Sequence, residues 1–217
     1  MSSCSLPSDN LDRISVVVGD LAALPAELGV DTLVNAANTS LLGGAGVDGA
    51  IHRAAGPALL EHNKTLGGCS TGLAKITPAF ELTTRTHGLV QHILHTVGPV
   101  WHEVTDHPMP GQPHADEKLG YTHEDTLLAS CYYQSLTLAT EHGCQVIAFP
   151  AISTGAYHFP RDRAAKIAFG HVLGYLAKAS LPQRVVFCVL TQEEADVYHQ
   201  VIATREQWLY NRGRASG

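Results

Sequence analysis

Between Val34 and His52 the chain reads Val-Asn-Ala-Ala-Asn-Thr-Ser-Leu-Leu-Gly-Gly-Ala-Gly-Val-Asp-Gly-Ala-Ile-His, which sets two asparagines, four glycines and one aspartate between an apolar run and a helical pattern. Asn35 and Asn38 carry carboxamides that donate and accept at once, and Gly43, Gly44, Gly46 and Gly49 let backbone N–H groups come close to a ligand. Glycines feeding a helix N-terminus present unpaired amide donors and the positive end of the helix dipole, so the loop suits a diphosphate. Asp48 is the odd residue. An ionised carboxylate beside a phosphate is repelled unless it points elsewhere or has chemical work to do. Plainer readings exist for each part. A first-turn carboxylate stabilises a helix dipole by roughly 0.3–1 kcal/mol, and Gly44 to Gly49 match the dinucleotide fingerprint Gly-x-Gly-x-x-Gly literally. That fingerprint should follow its strand directly and be answered by an acidic residue about twenty positions on. Here Ala36 to Gly43 intervene and no such acid is evident. A purely structural glycine turn explains the glycines but not the asparagines and the aspartate.

The elements that must hold these residues follow from periodicity. Ile14 to Val18 reads as a buried strand ending at Gly19-Asp20, and Asp31 to Asn35 as a second, short one. On spacing alone Asp20 is an N-cap for the turn Leu21-Ala-Ala-Leu24. From Val47 a helix pattern runs to Ala55, stopped by Gly56 and restarted by Pro57. Leu73 to Phe80 and His92 to Val97 read as strands. Trp101 to Tyr121 shows no hydrophobic period and reads as a long loop, of the kind that is a lid or disordered. Its histidines, His102, His107 and His114, are spaced by five and seven, which matches no standard zinc pattern, so no metal is expected. Thr122-x-x-Asp125 opens a helix in capping-box style. Gln145 to Phe149 is a strand, and Ser153 to Tyr157 is the turn after it, a second place where hydroxyls and backbone N–H groups could cradle an anion. Pro160 starts a helix with a stripe from Ala164 to Tyr175. Val185 to Leu190 is an apolar strand, Thr191-x-x-Glu194 caps a final helix, and Asn211 to Gly217 has the composition of a frayed tail. Strands alternating with helices indicate an α/β sandwich with loops collected at strand ends.

With 217 residues, 45% hydrophobic and 16% charged, the chain is most simply one domain with one core. A net charge of -6 argues against a broad nucleic-acid footprint. No apolar run approaches membrane-spanning length, and the N-terminus lacks the basic and apolar regions of a secretory signal. Five cysteines without a C-x-x-C pair fit inert thiols in a reducing cytoplasm.

The stretch Asn35-Ala-Ala-Asn38 followed by Gly-Gly-Ala-Gly-Val-Asp48-Gly-Ala-Ile-His52 resembles the macrodomain family, most closely its MacroD-type and bacterial O-acetyl-ADP-ribose deacetylase branch. Gly19-Asp20-Leu21 and Ile152-Ser-Thr-Gly-Ala-Tyr157-His-Phe-Pro160 fit in the expected order, as do Thr71 to Thr77 and His95 to Pro99, so the resemblance covers roughly residues 14 to 208. It implies a single macrodomain over 1–217, a three-layer α/β/α sandwich around a mixed, mostly parallel sheet of about six strands. It further implies a hydrolase that cleaves the ester joining ADP-ribose to Asp or Glu side chains of mono-ADP-ribosylated proteins, deacetylates O-acetyl-ADP-ribose, or both. Asp48 would orient or deprotonate the attacking water, unless the substrate's own phosphate activates it, and Asn38 would hold the distal ribose. Asp20, by resemblance, accepts from the adenine amino group beside Leu21; Asn35 also contacts substrate. Gly46 and Val47, with Ser153, Thr154, Gly155, Ala156 and Tyr157, would bind the diphosphate and distal ribose through backbone donors. No cofactor, nucleic acid or membrane is expected, and the protein is expected to be monomeric. The competing class is an ADP-ribose reader without turnover. Two departures bear on loop geometry, since Ala45 and His158 stand where the family often has glycine. A positive φ at either would cost roughly 1 kcal/mol or more.

Overall fold

A computed structural model describes residues 10–24, 26–102 and 122–215, with side chains through 204. Among these, β-branched and apolar runs form β1 (Ile14–Val18), β2 (Thr32–Ala37), β3 (Ala74–Pro78), β4 (His92–Val97), β5 (Val146–Phe149) and β6 (Arg184–Val189). They make one sheet in the order β1-β6-β5-β2-β4-β3. Every pairing is parallel except that of β3 with β4. Parallel strands buried on both faces need apolar residues at successive positions, and the central strands supply them.

Alternate residues of the sheet serve two cores. Val34, Leu94, Phe149 and Phe187 pack beneath α4 (His123–Glu141), α5 (Arg161–Leu176) and α6 (Gln192–Ala215). Their neighbours Leu33, Ile93, Ala148 and Val186 pack beneath α1 (Gly46–Ala55), α2 (Pro57–Thr65) and α3 (Glu81–Arg85). The result is the three-layer α/β/α sandwich with a mixed, mostly parallel six-stranded sheet. Among the described residues no helix is long and apolar enough to cross a membrane.

Both expected capping boxes form. Thr122 Oγ1 accepts from Asp125 N while Asp125 accepts from Thr122 N, and Thr191 and Glu194 do the same at α6. Three boundaries differ from the sequence reading. β2 runs on through Ala37, because pairing with β4 continues to Val97. β3 stops at Pro78, and the chain then turns into α3, too short for its period to be read. The tail expected to fray from Asn211 is helical to Ala215; no proline stops it, and Gly213 costs only about 1 kcal/mol in a helix. Of the loop expected over Trp101 to Tyr121, residues beyond His102 lie outside the described ones, with His107 and His114.

Candidate active site

The carboxyl ends of β1, β2, β5 and β6 open onto a cleft of about 480 Å³, the position where parallel α/β sheets receive ligands. Its first wall is the loop from Asn38 into α1. Ala45 is the N-cap residue, so Gly46, Val47 and Asp48 form the first helical turn, whose N–H groups have no partner four residues back. Gly46 and Val47 line the cleft. Gly46 has φ 59°, which glycine adopts without strain. Gly49 is needed too, since a Cβ there would sit 2.5 Å from Gly44 O and push the loop off the helix.

Asp48 lines the cleft and is 4% exposed. Its Oδ1 accepts from Asn35 Nδ2 at 2.7 Å and lies 3.5 Å from His52 Nε2, one turn along α1. Its Oδ2 has no hydrogen-bond partner among the protein atoms. Burial pushes the carboxyl above its ordinary value, opposed by the Asn35 hydrogen bond and by His52. A buried carboxylate with one oxygen held and the other without a protein partner can take a proton.

Asn38 faces the same space. A Cβ on Gly44 would meet both Asp48 Oδ2, at 3.0 Å, and Asn38 Nδ2, at 3.4 Å, so the missing side chain keeps open the gap these two groups share. Asn38 Oδ1 accepts from Ser40 N and Oγ at 3.0 and 2.6 Å, and Nδ2 donates to Gly43 O at 2.9 Å. Three of the carboxamide's four hydrogen-bonding positions thus fold its own loop, leaving one N–H for a ligand.

Asn35 is placed differently from the sequence expectation. It is fully buried and lies behind the cleft wall, touching Asp48 rather than lining the cavity. β2 explains why: successive side chains point to opposite faces, and Asn35 takes the face that α1 covers. Its Nδ2 also meets His95 Nδ1 at 3.1 Å, and His95 Nε2 meets Thr77 Oγ1 at 3.1 Å. Burial holds His95 neutral, with its value lowered to about 3.

The opposite wall is Ser153 to Tyr157, all five residues of which line the cleft. Gly98 makes room for it, because a Cβ there would overlap Ser153 Oγ. Ser153 is buried with φ 67° and its Oγ has no hydrogen bond among the protein atoms. Trp101 N donates to Tyr157 O at 2.8 Å, and the Trp101 ring packs on Phe159 at 4.7 Å and under the Arg163 guanidinium at 5.7 Å. Arg163 Nε in turn donates to the buried Asp125 at 2.6 Å, which ties the loop to the start of α4. Of the two departures, Ala45 has φ -96° and is unstrained, while His158 has φ 55°, a left-handed conformation unfavourable for histidine.

At the β1/β6 end the cleft is lined by Gly19, Leu21, Cys188, Leu190, Arg161 and Glu194. Asp20 stands between two lining residues but is itself exposed, with Oδ1 accepting from Ala22 N at 2.9 Å, the cap that spacing predicts. Burial, and the charge of Asp20, push the Cys188 thiol up to about 11, so it is inert at neutral pH. Sequence reasoning gave no role to His95, Thr77, Gly98, Arg161 or Cys188, and read Glu194 only as a cap. The first three lie in the segments Thr71 to Thr77 and His95 to Pro99 that fit the resemblance, but local pattern gives them no role; Arg161, just after Pro160, was within reach.

Residues 34–168 match the pattern of the Macro domain family, described as "Macro domain". The chain belongs to the Macro domain family. This macrodomain is 43% identical over 194 residues to the O-acetyl-ADP-ribose deacetylase of Escherichia fergusonii, covering 88% of this chain and 95% of that one. It is 44% identical over 188 residues to the ADP-ribose glycohydrolase MACROD2 of Xenopus laevis, covering 86% of this chain and 39% of that longer protein. Among solved structures it is similar to the Trypanosoma brucei macrodomain in complex with ADP-ribose, with a TM-score of 0.72 and 32% identity over 90% of this chain and 72% of that one.

Proposed function

We propose that this macrodomain is a hydrolase that binds ADP-ribose in the cleft and cleaves esters on its distal ribose. The substrates are O-acetyl-ADP-ribose and proteins carrying mono-ADP-ribose on Asp or Glu. The observation that carries this reading is Asp48 Oδ2, buried at the cleft wall with no protein partner, beside the Asn38 amide. Asp48 takes a proton from water as the water oxygen adds to the ester carbonyl. The tetrahedral intermediate then collapses, the ribose oxygen leaves and is protonated, and acetic acid or the side-chain carboxyl is released. The remaining Asn38 N–H holds the leaving oxygen. Gly46, Val47 and the Ser153 to Tyr157 loop grip the diphosphate through backbone donors, which suits a cleft lined, among the described residues, by a single Arg or Lys, Arg161. Asp20 and Leu21 receive the adenine end. The two relatives, named as a deacetylase and a glycohydrolase, support the class of reaction. The described cysteines, Cys69, Cys131, Cys144 and Cys188, are unpaired and buried, in keeping with a reducing cytoplasmic setting.

Purified protein incubated separately with O-acetyl-ADP-ribose and with Asp/Glu-, Ser- and Arg-linked mono-ADP-ribosylated proteins should release product from the esters alone. Asp48→Asn should lower turnover by roughly 10²–10⁴, about 3–5 kcal/mol of barrier, while ADP-ribose affinity holds or improves because a repelling charge is lost. Calorimetric binding without release from any substrate makes the protein a reader. A rate kept within about tenfold shifts activation of the water to the substrate's phosphate. Rate and affinity collapsing together would mean that the carboxylate only supports the start of α1.

A further inference from the structure

Four side chains from three strands and one helix form a buried line behind the cleft: Thr77 on β3, His95 on β4, Asn35 on β2 and Asp48 on α1. Thr77, His95 and Asn35 are 2%, 0% and 0% exposed, so the line is shut off from bulk solvent. The direction of the hydrogen bonds in this line follows from its two ends. Thr77 Oγ1 lies 3.1 Å from Pro78 O and 3.5 Å from Ile93 O, and carbonyl oxygens only accept. Giving its one hydrogen to either carbonyl leaves the Thr77 oxygen to accept from His95 Nε2–H, and the other end of the line requires the same: Asn35 Nδ2, an amide N–H beside a carboxylate, only donates, so His95 Nδ1 accepts. A neutral imidazole with its proton on Nε2 has a bare Nδ1, which accepts from Asn35 Nδ2. The second hydrogen of the same Nδ2 is then left for Asp48 Oδ1. Turning the Asn35 amide over would set its oxygen 2.7 Å from a carboxylate oxygen and against the bare Nδ1.

We infer that His95, through Asn35, is a positioning residue for Asp48: the backbone carbonyls at Pro78 and Ile93 fix the histidine tautomer, the tautomer fixes the asparagine amide, and the amide leaves Asp48 Oδ2 as the oxygen presented to the cleft. Its consequence for turnover rests on Asp48 being the base proposed above. The lowered value of His95 keeps its imidazole neutral across the working range. The other titratable groups that face it are His52, whose ring lies 6.4 Å from that of His95 and whose Nε2 is 3.5 Å from Asp48 Oδ1, and His62.

His95→Phe keeps a ring in place and removes both nitrogens. The Asn35 amide is then free to turn, and Asp48 loses a fixed donor that favours its ionised form. A base must be ionised to act, so the acid limb of kcat/KM should move to higher pH, by about one unit, and kcat should fall about tenfold or more while KM and ADP-ribose affinity stay within about threefold. Thr77→Val, which removes the acceptor for Nε2–H, should shift the acid limb the same way by less. An unmoved acid limb, or a loss confined to KM, overturns the inference. Nitrogen-15 NMR of the unmodified protein provides a readout that does not depend on a variant folding: protonated Nε2 with bare Nδ1 is expected for His95, and a proton on Nδ1 overturns the line outright. Asp48→Asn measured alongside separates the two claims. If it keeps its rate, the base assignment fails, while the tautomer still decides whether His95 holds Asn35.

Discussion

Asp20 carries two duties that one pair of ligands can separate. Its Oδ1 caps the turn at Leu21 through Ala22 N, and the same carboxylate stands between two residues of the cleft's β1/β6 end. If it also accepts from the adenine amino group, Asp20→Ala should weaken ADP-ribose binding by about 1–3 kcal/mol, the worth of a charge-assisted hydrogen bond. Ribose 5-phosphate, which has no adenine, should bind as before. Equal losses for both ligands in calorimetry would reduce Asp20 to its cap. Asp48 differs in kind, because its buried surroundings make ionisation costly and its second oxygen is left open. The same residue type thus serves as an exposed cap at one end of the cleft and as a candidate base at the other.

Loops gain their shape from partners that the strands bring to them. The segment Ser153 to His158 holds both its end residues at positive φ, which costs of order 1 kcal/mol or more at each. That conformation persists because Phe159 N bonds to Ser153 O, Trp101 N bonds to Tyr157 O, and Gly98 leaves room for Ser153. Gly98→Ala tests this dependence. A methyl group there overlaps Ser153 Oγ and Ile152 Cγ2, so the loop must shift in the cleft wall. ADP-ribose affinity should fall at least tenfold, about 1.4 kcal/mol, with a smaller drop in melting temperature. Unchanged affinity in calorimetry would mean that the loop is not held by this fit.

At the scale of the whole molecule, one side chain ties the two ends of the fold's edge. Arg13, just before β1, donates to the carbonyls of Leu176 at the end of α5 and of Ala179, Ser180, Pro182 and Gln183 in the segment that joins α5 to β6. A planar five-donor guanidinium can serve this many acceptors and lysine cannot. The guanidinium is part-exposed, and solvent screening discounts its worth; Arg13→Lys should still cost about 1–2 kcal/mol of stability, at the lower end for charged hydrogen bonds. The clamp lies at the amino end of β1, away from the cleft, so kcat per folded molecule should not change. A urea midpoint that falls with an unchanged slope is the expected result, and an unmoved midpoint would show that the carbonyls are equally well served by water.

The sequence by itself determined what a few consecutive residues can satisfy among themselves. Apolar runs made the strands, Thr122 with Asp125 and Thr191 with Glu194 closed their capping boxes, and the placing of Asp48 in the first turn of α1 followed from the helical pattern that starts at Val47. Recognition of the Asn35 to His52 stretch supplied the family and the fold, and that stretch does line one wall of the cleft. Tertiary structure decided the rest. Whether Asn35 faced ligand or core depended on which face of β2 α1 would cover. That His95 and Thr77 stand behind it depended on β4 lying beside β2, and β3 beside β4. Hydrophobic period specifies which face of a strand is buried but not which strand is its neighbour, so contacts across 13 to 60 residues of sequence leave no local trace. Gly98 likewise reads as an ordinary glycine after a strand until Ser153 is packed against it.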